Sequence, residues 1–313
     1  MDLSLLRKVV AFVLALGCVV ALAGCVGLMS GDNRHNVPLS SGIQAQIKSI
    51  GSTPGKAMFV RIFKQEGQLE VWKETSGGDF RLLKTYAICA WSGDLGPKIR
   101  EGDRQAPEGV YTITPGLMHP RSNYYLAFNI GFPNKFDRAH GRTGSNLMVH
   151  GDCSSAGCYA MTDGGIAEIY ALARESFKGG NKSFQVQVFP FRMTPQNIAA
   201  NIDNQHMPFW RDIKEGYDLF EINRQPPTWD VCERQYVFNA SGGGMLDALG
   251  PCPAQTRSAT LVARMEADER KINDILGGIA EKQAEQQAIA ARGEAINTAV
   301  GGFFSSIGNA FAQ

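Results

Sequence analysis

One stretch of the chain concentrates side chains able to do covalent chemistry: VHGDCSSAGCYAMTD, residues 149–163. A strand-like segment, Leu147–His150, delivers a histidine to a glycine-bounded loop, and Cys158 closes that loop just before a helix start. An unperturbed thiol ionises near pH ~8.5, so it needs help to act as a nucleophile near neutrality. A neighbouring imidazole supplies that help by taking the proton, giving an imidazolium–thiolate pair. Gly157 permits an unusual backbone angle beside the thiol. Backbone N–H groups around Gly157 and Cys158 are then candidates to stabilise an oxyanion. The same residues admit other readings: a satisfied core histidine, half of a disulfide, or a metal set of His150, Cys153 and Cys158. Three ligands on so tight a loop, with no second cluster, fit zinc poorly. No phosphate cradle or nucleotide fingerprint is present, so the expectation is no metal and no cofactor.

The rest of the chain must export and position this loop. Its 313 residues carry 31 Lys+Arg against 30 Asp+Glu, a balance that offers nothing to neutralise a phosphate backbone, so nucleic acid is not an expected partner. Arg7 and Lys8 precede an apolar run, Val9–Ala23, too short for a comfortable membrane span and read as a secretory signal over residues 1–24. The run ends in Leu22-Ala23-Gly24-Cys25, which resembles the lipobox of bacterial lipoproteins. That resemblance implies a lipidated Cys25, a membrane contact through the lipid, and a periplasmic location. Val26, rather than Asp, at the next position leans towards the outer membrane. A plain cleaved signal or an uncleaved anchor is the alternative. With Cys25 lipidated, five thiols remain in an oxidising compartment, and an odd number suggests that one stays free for a reason.

Composition and spacing give a mainly β fold with α elements. Thirty-five glycines and fourteen prolines favour a turn-rich sheet domain over a bundle. Residues 25–56 read as a polar lipidated tether with a short amphipathic stretch at Ile43–Ile50. Strands are expected at 58–63, 69–72, Phe80–Cys89, Gly109–Ile113, Tyr124–Ile130, Leu147–His150 and within 183–191. A helix capped by Asp163 should follow the reactive loop, and two more lie near Gln196–Asn204 and Pro208–Glu215. From residue 255 to 313 the chain turns helical and low in complexity. Its partial seven-residue apolar spacing is expected to break at Gly277-Gly278 and to pack loosely, with a short coiled coil as the sharper alternative. An apolar tail from Gly301 to Phe311 closes the chain.

The reactive loop resembles the catalytic motif of the L,D-transpeptidase (YkuD-type) family. His150-Gly151 matches its upstream H-G and Ser155-Ala156-Gly157-Cys158 its S-x-G-C. The chain is more specifically similar to the YafK-like branch, with further matches at Leu95–Lys98, Asn129–Asn134, Arg138–Gly141 and Phe189–Thr194. The resemblance implies an L,D-transpeptidase-type β-sandwich catalytic domain over residues 57–238, plus a C-terminal helical extension. It also implies attack by Cys158 on the L,D-amide at diaminopimelate of a peptidoglycan stem peptide, with His150 as proton donor and acceptor. An amine acceptor gives a 3–3 cross-link or attaches a lipoprotein; water gives hydrolysis, including release of a murein-linked lipoprotein. Ser155, Tyr159, Arg138, His140 and Arg142 are the candidate substrate contacts. Two departures bear on the acceptor: Ala156 replaces the histidine of S-H-G-C, and His150 stands only eight residues before Cys158. A non-catalytic murein-binding lipoprotein and a general cysteine protease are the competing classes.

The remaining cysteines are expected to pair as Cys232–Cys252, around the Ser241–Gly244 segment, and as Cys89–Cys153. Both Cys89 and Cys153 fall within family-like stretches. Buried thiols at Cys89 and Cys153, or an inactivating Cys153–Cys158 bond, are the alternatives.

Overall fold

The computed structural model describes residues 32–240 and 246–310, with side chains up to residue 302. The expected signal peptide, Cys25, the Ser241–Gly244 segment and Phe311 of the apolar tail lie outside the described residues. In chain order the elements begin with α1 (Ser41–Ser49), β1 (Met58–Phe63), β2 (Gln68–Glu74), β3 (Phe80–Ala87), β4 (Ala90–Trp91), β5 (Gly109–Ile113), β6 (Met118–His119), β7 (Ala127–Asn129) and α2 (Lys135–Ala139). They continue with β8 (Met148–His150), β9 (Tyr159–Ala160), α3 (Asp163–Lys178), β10 (Phe184–Phe189), α4 (Pro195–Ala200), α5 (Met207–Asn223), β11 (Trp229–Cys232), β12 (Gln235–Phe238) and α6 (Ala259–Ala310).

Two five-stranded sheets carry the fold, in the orders β3-β2-β1-β10-β5 and β4-β9-β8-β7-β6. Side chains alternate faces along a strand, so β1 can serve two cores at once. Val60 and Ile62 face the core shared with the second sheet, where they join Phe128, Val149 and Tyr159. Phe59 and Phe63 face the other way, onto Phe220 and Tyr217 of α5. All six residues of β1 are therefore buried, and the strand reads as a nearly unbroken apolar run. The exception, Arg61, is held under the Tyr217 ring at 4.2 Å and paired with Glu221 at 2.6 Å. The result is two mixed sheets with packed helices and a long C-terminal helix, an architecture that keeps the expected sheet-built catalytic body and helical extension.

Several local expectations need correction. The supposed tether is folded from Leu39 onward: Ser40 caps α1, and Ile43 and Ile47 are buried in the main core. Apolar residues four apart lie on one helix face, and that face has docked. Asp163 does not cap α3. Thr162 does, accepting from the Gly165 N–H at 3.0 Å, while the Asp163 carboxylate turns back to accept from the Asp152 N–H at 3.0 Å. Gly277-Gly278, where the apolar spacing was expected to break, leave the helix itself intact, and it runs continuously from Ala259 to Ala310. A glycine costs a helix only ~1 kcal/mol relative to alanine. The first turns are also fastened to the body by buried Leu261 and Ile272 and by Arg264–Asp218 and Lys214–Asp268 ion pairs at 2.8 and 2.7 Å.

Candidate active site

The second sheet places the reactive groups. Strands β8 and β9 run parallel, with Val149 opposite Tyr159 and His150 opposite Ala160. Continuing this register by one residue sets Cys158 beside Met148, and the Met148 N–H indeed points at the Cys158 Sγ, 3.4 Å away. Met148 and His150 share a face by strand alternation. Cys158 therefore sits diagonally from His150 on that face, at an ideal Cα separation of about 8 Å given the usual strand spacing and rise. Both side chains line one open cleft of about 320 Å³.

Cys158 is the free cysteine among the described residues, because Cys89 is bonded to Cys153 and Cys232 to Cys252. Burial pushes its thiol above the usual range; the Met148 N–H and the Lys98 charge pull it down by less. A thiol so placed would need a base to take its proton before it could act as a nucleophile. His150 is buried, and its Nδ1 lies 2.5 Å from the Gly151 carbonyl oxygen. A carbonyl only accepts, so Nδ1 carries the ring proton and Nε2 keeps a free lone pair. The imidazole is oriented by the backbone carbonyl of Gly151.

The loop between the two groups is fixed at several points. Cys153 ties it to Cys89, at the turn after β3. Asp152 and Cys153 both have positive φ, 71° and 38°. Gly151 is needed for close approach, since a Cβ there would collide with the Asp163 carboxylate. Gly157 has φ +124°, a conformation that other residues adopt only under strain. Ser155 Oγ accepts from the N–H groups of Gly157 and Cys158, at 3.3 and 3.1 Å, and donates to the Cys158 carbonyl at 2.8 Å. The two N–H groups expected to face an oxyanion are therefore engaged by Ser155, which acts as the clasp of the turn.

Other expected contacts lie elsewhere. Tyr159 is fully buried on the opposite face of β9, donating to the Pro107 carbonyl at 2.7 Å. Arg138 is exposed and bonds the Pro133 carbonyl. His140 Nε2 lies 2.8 Å from the Arg234 carbonyl, and Arg142 is buried against Asp137 at 2.9 Å. His140 and Arg142 line a separate cleft of about 400 Å³, and none of the three basic residues lines the thiol cleft. That cleft is walled instead by His119, Arg121, Ser122 and Tyr124 from the β6–β7 connection, with Asn146 ahead of β8. The polar, aromatic run HPRSNYY at 119–125, set between two strand patterns, was the available signal. Among the described residues, no three His, Cys, Asp or Glu side chains gather as a metal site. Cys153, bonded to Cys89, has no thiolate to offer one.

Two sheets presenting a histidine and a cysteine through H-G and S-x-G-C define the class: the fold and motif are those of the L,D-transpeptidases. No family model matches the chain. It is 42% identical over 234 residues to YafK of Escherichia coli K12, provisionally named an L,D-transpeptidase, covering 75% of this chain and 91% of that one. The Escherichia coli O157:H7 protein of the same name matches equally. The chain belongs to this YafK-like L,D-transpeptidase family, and so to a family of murein-modifying enzymes. Solved structures with local likeness include Pgp2, a helical cell shape determining protein of Campylobacter jejuni, at 22% identity and TM-score 0.33, covering 47% of this chain and 54% of that one. Bd1075 of Bdellovibrio bacteriovorus follows at 20% identity and TM-score 0.31, covering 54% and 62%.

Proposed function

We propose that this protein breaks the L,D-amide at diaminopimelate of a murein stem peptide through an acyl-enzyme on Cys158. The observation that carries the reading is the parallel β8–β9 register, which puts Cys158 and His150 on one face of one cleft. His150 Nε2 takes the thiol proton as Sγ attacks the amide carbonyl, then passes it to the departing amine. Because Ser155 Oγ engages the Cys158 and Gly157 N–H groups, stabilising the tetrahedral oxyanion requires the serine hydroxyl to release one of them. The acyl group then goes to an amine, forming a 3–3 cross-link or attaching a lipoprotein.

A second reading, hydrolysis of the same linkage, is favoured by the loop itself. Only seven residues separate His150 from Cys158, and the Cys89–Cys153 bond ties that loop back to β3. Little chain is left to cover the acceptor side, so water has access. Incubating the full chain with purified sacculi and resolving the muropeptides separates the readings. New 3–3 dimers mean transpeptidation; free tripeptides or a released lipoprotein mean hydrolysis; an unchanged profile removes both.

Export and lipidation at Cys25 complete the proposal, supported by the apolar run and Leu22-Ala23-Gly24-Cys25. The lipid would hold the enzyme in the periplasm, facing its polymeric substrate. A fatty-acid analogue should label the wild type and not Cys25→Ser; an unlabelled, soluble wild type contradicts this part.

A further inference from the structure

We infer that Arg121 is the anion-recognition residue of the thiol cleft, pairing with a carboxylate of the stem peptide next to the scissile amide. The inference deepens the murein reading and rests on Cys158 being the nucleophile.

The charge inventory of the cleft points this way. Arg121 and His119 stand on its wall, and none of its lining residues is Asp or Glu. Among the described residues, Arg121 makes no ion pair, although most arginines of this chain find a carboxylate. A guanidinium left free beside a nucleophile, in a cleft without acid, is a fork without its partner. A stem peptide supplies that partner chemistry, because diaminopimelate and the terminal D-residue each bear a free carboxylate beside the bond.

The wall that presents Arg121 is held in place. Gly151, next to the reactive histidine, donates its N–H to the Tyr124 carbonyl at 3.0 Å. Arg34, from the segment ahead of α1, donates to the Ser122 carbonyl at 3.0 Å and lies over the Tyr125 ring at 5.4 Å. The Tyr124 ring sits 4.8 Å from the His150 ring. The loop carrying Arg121 is thus bound to the catalytic strand on one side and to the N-terminal segment on the other. The arginines and histidine that the sequence suggested for this role, Arg138, Arg142 and His140, are engaged elsewhere.

Two measurements on the full chain test the inference. The first uses no murein: the rates at which iodoacetate (an anion) and iodoacetamide (neutral) alkylate Cys158 are followed by peptide mapping. The iodoacetate-to-iodoacetamide ratio should fall severalfold in Arg121→Gln and recover in part in Arg121→Lys. An unchanged ratio in Arg121→Gln overturns the anion site, whatever the enzyme does. The second uses tetrapeptide muropeptides. Arg121→Gln should raise KM about tenfold or more, the worth of a charge-assisted bond, with kcat changed far less. Substrates amidated at the diaminopimelate carboxylate or at the terminal D-residue identify the partner, since the substrate lacking it should lose its sensitivity to Arg121→Gln. A KM that Arg121→Gln leaves unchanged, or equal sensitivity of both amidated substrates, overturns the pairing. A reduced alkylation ratio with no muropeptide turnover by the wild type would keep the anion site and remove the murein reading.

Discussion

The Nδ1 atom of His150 lies 2.5 Å from the carbonyl oxygen of Gly151, its neighbour in the chain. The orienting group of this imidazole is therefore backbone, fixed by the same turn that starts the loop to Cys158. Gly151 can make that turn because it has no Cβ to strike Asp163. The imidazole and the loop that leads to Cys158 are thereby shaped by one local structure.

Removing the imidazole should expose the raised thiol. His150→Ala should lower kcat/KM by ~10²–10⁴-fold, the usual worth of a general base. Its residual activity should climb with pH up to and beyond pH ~8.5, because burial holds the Cys158 thiol above its ordinary range. Parallel pH profiles for wild type and variant would take His150 out of the proton path.

The two disulfides should separate stability from activity. Their sequence separations are 64 for Cys89–Cys153 and 20 for Cys232–Cys252. Loops of these sizes are worth about 4 and 3 kcal/mol in the chain-entropy account. Cys153→Ser and Cys232→Ser should both lower Tm. Only Cys153→Ser should also cut turnover at temperatures where the protein stays folded, because only that bond restrains the reactive loop. Equal loss of activity in both variants would remove the restraint from the account.

Asp212 gives a pH signature. Its carboxyl is buried and pushed up to about 7 by desolvation, against a hydrogen bond from the Tyr236 N–H. Between the unfolded carboxyl value of ~3.9 and this folded value, the native state binds the extra proton. Its contribution to stability therefore falls as pH rises through that window and is constant above it. Asp212→Asn, which still accepts from Tyr236, should flatten the decline in Tm between pH 5 and 8, seen by thermal unfolding at each pH. A variant with the wild-type slope would contradict the assignment.

The long helix α6 should divide into a structural and a dispensable half. Leu261 and Ile272 are buried, whereas Ile279, Ile289 and Ile296 are exposed. Truncation after Gly278 should leave Tm within about a degree, while Leu261→Ala should cost ~2–4 kcal/mol through the cavity it leaves. A large loss of Tm on truncation would mean that the outer half is packed after all.

What the sequence disclosed depended on whether the signal was local. His150, Gly157 and Cys158 stand within nine residues, so their chemistry could be read from the string, and β1, β2 and β5 followed from alternation and turn residues. Tyr159 could not be assigned by proximity, because adjacent strand residues face opposite ways and it faces the core. Arg121 reaches the cleft from another strand connection 37 positions away, through antiparallel pairing of β6 with β7 and β7 with β8. The polar, aromatic run at 119–125 marks a candidate wall, but only the strand pairing shows which cleft it faces. The docking of α1 was missed for a related reason. The amphipathic stretch at Ile43–Ile50 was legible, but the polar segment around it gave no sign that Ile43 and Ile47 dock in the main core.

The most direct test of the central claim is the mass of the enzyme caught during turnover. The full chain is mixed with a tetrapeptide muropeptide, quenched in acid within the first turnover and analysed by intact and peptide mass spectrometry. The account predicts an adduct equal to the substrate less its terminal D-residue, mapped to Cys158 and absent from Cys158→Ala. The same adduct on the Cys158→Ala protein, or murein cleavage by that variant at the wild-type rate, would contradict it.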